Sequence, residues 1–231
     1  MSKLRRLDQL LASLGYGSRR EAQALVDRGY VAVKGVIVDR ADLRVNAAEV
    51  TFKGEPLEAP HGLLAMLHKP LGYVCTHSGD EGPNIYELLP PRWLQRNPAV
   101  SGVGRLDKDT SGLLLVTDRG DLIQRWTSPK SDISKVYEVT VDKPMPQGLV
   151  EVFAAGTLML RGETKPCLPA ELEEVDETHA RIIIQEGRYH QVRRMFASQG
   201  LHVTELHRPK FGEFSLDDLP EGQWRLLDAP A

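Results

Sequence analysis

The sequence predicts an α+β protein in two parts, and three observations carry that reading. Strand-like stretches outnumber helical ones and do not alternate with them, so the main sheet should be mixed and mainly antiparallel, flanked by helices. Charge is uneven: residues 1–44 hold nine Lys/Arg against five Asp/Glu, a net of +4, in a chain whose total is −3. Residues 55–62 contain two prolines and a glycine without periodicity, which marks a break and a partly flexible spacer. A small basic module at residues 1–58, a linker at 59–62 and a larger domain at 63–231 are therefore expected.

The elements follow from local pattern. Leu7, Leu10, Leu11 and Leu14 recur at helical spacing and Gly15 is a stop. Ser18-Arg-Arg-Glu21 is a capping box that opens a second helix, with Ala22, Leu25 and Val26 on its apolar face and Gly29 at its end. Val31 to Val33 and Val36 to Val38 read as strands about a Lys34-Gly35 turn, and Val50 to Phe52 as another. In the larger part, Leu63 to Leu67 is a strand running into His68-Lys69-Pro70, and Thr76 to Asn84 is a loop. Leu113 to Val116 is a buried strand, and Asp121 to Trp126 a short helix stopped by Ser128-Pro129. Ser134 to Asp142 is a strand with Lys135, Tyr137, Val139 and Val141 on one face. Met145 to Ala155 reads as a helix, Ala170 to Val175 and Ala180 to Gln185 as strands. Glu186 to Gly200 reads as a helix with Val192, Met195 and Phe196 as its buried stripe. Strands near Val203 to His207 and Trp224 to Leu227 close the chain.

At 41% hydrophobic and 26% charged residues, the 231-residue chain can bury a sizeable core. No apolar run is long enough to span a membrane, and the charged start lacks a signal peptide's apolar core. Cys75 and Cys167 are too few for a disulfide framework, so a cytoplasmic protein is expected. The seven histidines show no metal-ligand spacing with the two cysteines and read as surface or packing residues.

The chemistry concentrates in Gly104-Arg-Leu-Asp107-Lys-Asp109-Thr-Ser-Gly112, a polar loop entering the Leu113 strand. A calcium loop would place Asp107, Asp109 and Ser111 at alternate positions, but its twelfth ligand would be Asp118 rather than the longer Glu, and a strand flanks it. A phosphoryl-transfer aspartate would want an apolar strand where Gly104-Arg105 lies. A P-loop is excluded because no Gly-Lys-Ser/Thr occurs. Arg19 and Arg20, in the first turn of the second helix, oppose its dipole, so phosphate binding is a better reason for them than helix stability. If the basic module binds a nucleic acid, a carboxylate here can attack or assist at a glycosidic bond once the nucleotide has left its stack, and Arg105 has the reach to prop the vacancy.

Two resemblances then join these parts. Arg6-Leu-Asp8, Ser18-Arg-Arg-Glu-Ala22 and Gly29-Tyr-Val31-Ala-Val33-Lys34-Gly35 resemble the RNA-binding domain named after ribosomal protein S4. Gly104 to Thr117, Lys135-Val-Tyr137 and Glu186-Gly-Arg-Tyr-His-Gln-Val-Arg-Arg-Met-Phe196 resemble the three ordered motifs of the RNA pseudouridine synthases. The resemblance implies isomerisation of a uridine to pseudouridine, with no metal or cofactor. It implies Asp107 as the catalytic aspartate, Tyr137 packed on the target base and Arg193 paired with Asp107 to keep it ionised. Arg105 is expected to support the flipped nucleotide, and Lys69, Arg6, Arg19, Arg20 and Lys34 to contact RNA. Arg193 and Arg194 point about 100° apart on a helix, so Arg194 is left for RNA or a surface carboxylate. Asp109 is expected only to shape the turn. Val203-Thr-Glu-Leu-His-Arg208 and the short tail resemble the members acting at uridine 516 of 16S rRNA, which implies a monomer working on ribosomal RNA in a small-subunit assembly particle. A 23S rRNA enzyme and a non-catalytic assembly factor stand as alternatives.

Overall fold

The computed structural model describes residues 4–78, 82–128 and 131–230. Arg5–Arg6 (β1) leads into α1, Leu7–Ser13, whose Leu7, Leu10 and Leu11 are fully buried. The capping box forms: Ser18 Oγ accepts from the Glu21 amide at 3.3 Å and Glu21 Oε2 from the Ser18 amide at 2.7 Å, opening α2, Arg19–Asp27. Strands β2 (Val31–Val33), β3 (Val36–Ile37), β4 (Arg44–Val45), β5 (Val50–Phe52) and β6 (Glu55–Pro56) follow. β4 pairs with β1, and the others form a sheet in the order β3-β2-β5-β6. Lys34 (φ 52°) and Gly35 (φ 77°) are both left-handed, as a two-residue hairpin turn requires. Leu7, Leu10, Leu11, Val26, Val31 and Leu57 share one core.

The spacer is held more tightly than its composition suggests. Leu57 is buried, and the Glu58 carboxylate accepts from Arg92 and from Trp93 Nε1. Arg96, itself buried, donates to the Ala59 carbonyl at 2.7 Å and to Asp118 at 2.6 Å, while Asp118 accepts from the Leu63 amide at 2.7 Å. Paired and hydrogen-bonded charges of this kind are stiff because breaking them strands a buried ion. The Asn97 amide also reaches the Ser13 carbonyl at 3.0 Å, and Gly15 (φ 82°) lies so near Arg92 that a Cβ would meet its carbonyl oxygen at 2.2 Å.

The larger part contains β7 (Leu64–Lys69), β8 (Ser101–Gly102), β9 (Ser111–Thr117), α3 (Gly120–Thr127), β10 (Lys135–Val141) and α4 (Leu149–Ala154). β11 (Glu171–Glu174), β12 (His179–Ile184), α5 (Gln191–Ser198), β13 (Val203–Phe211), β14 (Phe214–Ser215) and β15 (Trp224–Leu226) complete it. The sheet order is β11-β12-β10-β13-β9-β7-β15, with β14 on β13 and β8 on β9. Among the described strands of this sheet only β13 and β9 pair in parallel, so the sheet is mixed and mainly antiparallel, in an α+β chain. The Leu113–Val116 run of β9 is apolar because Leu114 and Val116 enter one core and Leu113 and Leu115 another.

Two helices are shorter than the periodicity predicts. α4 starts at Leu149, behind a left-handed Gly148 (φ 83°), rather than at Met145. Residues 186–190 form a loop and α5 starts only at Gln191. Arg188 pulls this segment away from a helical path by bonding Glu186 at 3.0 Å and the Lys165 carbonyl at 2.7 Å. Pro129 and residues 79–81 of the expected loop lie outside the described residues.

Candidate active site

The loop before β9 is fixed by its own carbonyls. Leu106 O accepts from Cys75 Sγ at 3.3 Å, Lys108 O from the Gly72 amide at 2.8 Å, Asp109 O from Arg193 Nη2 at 2.7 Å and Thr110 O from Lys69 Nζ at 2.7 Å. The Thr110 amide closes the turn onto Asp107 O at 3.1 Å. Donors from β7, the loop that follows it and α5 thus hold one short turn, and Asp107 is presented from it. Beyond the turn, Gly112 (φ 120°) lets β13 approach: a Cβ there would stand 2.4 Å from the Arg208 carbonyl oxygen. That contact is the parallel β9–β13 pairing, Arg208 opposite Gly112.

Asp107 lines a cavity of about 870 Å³ together with Arg105, Tyr137, His190 and Arg208. Tyr137 comes from the inward face of β10, and its hydroxyl accepts from Arg208 Nη1 at 3.4 Å. Arg208 is buried, and its Nε and Nη2 also bond the Leu113 carbonyl at 3.0 and 2.7 Å. Arg105 is exposed at the rim. Burial pushes the Asp107 carboxyl above the usual carboxylate range; Asp109 adds to this, and His190, Arg193 and Arg105 oppose it.

Three expectations about side chains, on Arg193, Asp109 and Lys69, are corrected. Arg193 is ion-paired with Asp109 at 3.0 Å rather than with Asp107, so Asp109 anchors the helix instead of only shaping the turn. The cation that touches Asp107 Oδ1, at 3.3 Å, is His190 Nε2 when protonated. Lys69 is fully buried, out of reach of RNA, and burial lowers its pKa; it is a strut between Pro70 O and Thr110 O. Arg6 and Arg19 both bond Asp8, at 3.1 and 2.8 Å, which gives Arg19 a structural reason to stand in the first turn of α2. Those two hydrogen bonds hold the Asp8 carboxyl well below the usual range, Arg6 first. Arg20 is exposed, and Lys34 is exposed beside Glu49 at 3.6 Å. Arg194 meets the surface carboxylate of Glu163 at 2.8 Å.

His190 and Arg208 are functional neighbours that sequence reasoning missed. His190 was hidden because residues 186–190 read as helix; the absence of apolar residues before Val192 was the available sign of a loop. Arg208 follows Leu206 at strand period on the inward face, and a cation placed there is a signal in itself, since a buried charge must grip something. Among the described residues, no three His, Cys, Asp or Glu converge as metal ligands.

A half-buried carboxylate, an inward tyrosine and a rim arginine around one cavity suit acid, base or nucleophile chemistry on an extruded nucleotide. Comparison with known proteins points the same way. Ribosomal small subunit pseudouridine synthase A of Pasteurella multocida is 40% identical over 227 residues, covering 97% of this chain and 96% of that protein. The enzyme of the same name from Escherichia coli strain K12 is 40% identical, with 96% of each covered. A crystal structure of a pseudouridylate synthase superposes with a TM-score of 0.67 at 37% identity, covering 96% of both chains. Residues 5–50 match the S4 domain, and residues 64–198 match the RNA pseudouridylate synthase family. With its fold and nearly its whole length in common with those relatives, the chain belongs to the RNA pseudouridylate synthase family, with an S4 domain ahead of the synthase domain.

Proposed function

We propose that the chain converts uridine 516 of 16S ribosomal RNA to pseudouridine, with Asp107 as the catalytic residue. The observation that carries this reading is the Asp107 turn, whose carbonyls accept from four donors so that one half-buried carboxylate faces a nucleotide-sized cavity. Such preorganisation is what a reaction on a rotating base needs. The bond from ribose C1′ to N1 breaks, the uracil turns while held, and C1′ joins C5. The C5 proton leaves and N1 gains one, so the product is an isomer and no co-reactant is consumed. Asp107 acts at the glycosidic bond. Tyr137 packs on the base, and the Arg208 guanidinium beside its hydroxyl fixes the ring. Arg105 enters the space left by the extruded nucleotide. Arg193 acts on Asp107 through Asp109 and through its charge.

The small-subunit substrate is supported by the relatives of that name, similar over nearly the full chain. Residues 1–58 bind RNA through Arg20, Lys34 and the Arg6 and Arg19 edge, and residues 63–231 carry the reaction. The protein works in the cytoplasm as a monomer on an assembling small-subunit particle; no described helix is long and apolar enough to cross a membrane. Incubation with 16S rRNA, followed by mapping of pseudouridine, tests the reading. Modification at position 516 that requires Asp107 is expected. Pseudouridine only in 23S rRNA would redirect the substrate, and none in either RNA would leave a binding factor.

A further inference from the structure

One pair of rings at the cavity is not explained by packing. Tyr189 is 75% exposed, and its ring lies on the His190 imidazole with centroids 3.9 Å apart and planes 16° apart. His190 Nε2 is in turn 3.3 Å from Asp107 Oδ1. Phenol, imidazole and carboxylate form one line from solvent to the reacting group.

The backbone is fixed to present that line. His190 adopts φ 46° and ψ 37°, a left-handed conformation that strains any residue with a Cβ. Such strain persists only where the surroundings over-determine it, and it gathers at functional sites. Here Arg194 Nη1 holds the Tyr189 carbonyl at 3.0 Å and Gln191 Oε1 accepts from the Arg188 amide at 2.9 Å. A tyrosine that only covered His190 would not need its second face open at the cavity mouth, where the strand carrying the target must run.

Nucleobases stack on exposed aromatic rings whatever their sequence, and extruding one nucleotide leaves its neighbour with an unstacked face. We propose that the outer face of Tyr189 receives a nucleobase adjacent to the extruded uridine, and that His190, held between this stack and the carboxylate, is a positioning residue for Asp107. The inference rests on the uridine isomerisation proposed above. A base on Tyr189 closes the stack from outside, which fixes the imidazole plane and the direction of Nε2. RNA docking and placement of the carboxylate then become one event.

When protonated, His190 also acts by charge. Asp107 is faced by His190 and Arg193 from α5 and the loop before it, by Asp109 and Arg105 from its own loop, and by Lys69 from β7. His190 and the arginines draw the Asp107 pKa down, against burial and Asp109. Removing His190 raises it further, so the acid limb of kcat moves to higher pH.

The test uses the full chain and a 16S rRNA transcript spanning uridine 516, with each flanking nucleotide replaced in turn by 2-aminopurine. Tyr189→Ala is expected to raise KM roughly 10- to 100-fold and to abolish fluorescence quenching at one flanking position, with Tyr189→Phe recovering most of both. His190→Gln is expected to lower kcat about 10-fold or more with KM within about 2-fold, and to shift the acid limb upward. Unchanged KM and quenching in a folded Tyr189→Ala protein would overturn the stacking site. An unmoved acid limb in His190→Gln would overturn the positioning role. A wild-type chain that forms no pseudouridine at any rRNA uridine would instead remove the parent reading, and this inference with it.

Discussion

The S4 domain and the synthase domain both depend on cations, and they use them in opposite ways. In the first, Arg6 and Arg19 keep 40% and 57% of their side chains in solvent while sharing Asp8, and Lys34 keeps 72% beside Glu49. In the second, Lys69, Arg96 and Arg208 are buried and grip main-chain carbonyls. An exposed ion pair such as Lys34–Glu49 contributes about 0–1 kcal/mol and can be exchanged for a phosphate contact. A buried cation cannot be exchanged without leaving carbonyls unpaired. Losses on removing a cation are therefore graded at the surface of the first domain and abrupt in the interior of the second.

Asp107→Asn should break the contrast most sharply. Pseudouridine formation should fall by at least about three orders of magnitude while rRNA binding persists, as read by rRNA mapping and filter binding. Retained formation would take the reaction away from Asp107. The same variant should not lose stability. Burial raises the folded pKa of Asp107, so its contribution to stability is fully present below the unfolded pKa and lost as pH rises through the folded one. At pH 7 the variant should melt no lower than the parent, and any advantage should vanish in acid.

Next comes Arg208→Met, which leaves the Leu113 carbonyl without its donors and frees Tyr137. Urea unfolding should show a loss of about 2–4 kcal/mol, with activity reduced at least about 10-fold. Equal stability would mean that Arg208 is dispensable to the β9–β13 junction. A pH profile gives the third effect: because the Asp107 pKa is raised, the acid limb of kcat should lie above the ordinary carboxylate range of about 4. A limb at or below that value would contradict a half-buried carboxylate. Smallest is the double variant Arg19→Ala, Arg20→Ala, expected to weaken rRNA binding and reduce the slope of log K against log salt by about 1–2. Because Arg19 is tied to Asp8, Arg20→Ala alone should account for most of that change. An unaltered slope would remove phosphate contact from α2.

Much of this was legible in the sequence wherever the information is local. The Ser18–Glu21 box, the β10 face carrying Tyr137 and the uninterrupted apolar run of β9 each follow from spacing over a few residues. Failures came where a distant group overrode the local pattern. Residues 186–190 read as the start of the helix whose stripe begins at Val192, but Arg188 is drawn to Glu186 and to carbonyls more than 20 residues away. The residues 55–62 look flexible by composition and are pinned by Arg92 and Arg96 from beyond them.

By itself the sequence determined the α+β class, the longer strands and helices, the basic module and the loop that bears Asp107, because helix caps, strand alternation and turn residues act through neighbours in the chain. Tertiary structure alone decided which cation meets which acid. Arg193 went to Asp109, His190 to Asp107, and Lys69 and Arg208 inward to carbonyls. Long charged side chains have the reach to choose among partners on several elements. That choice is settled by burial and hydrogen-bond geometry once the sheet has brought β7, β9, β13 and α5 together.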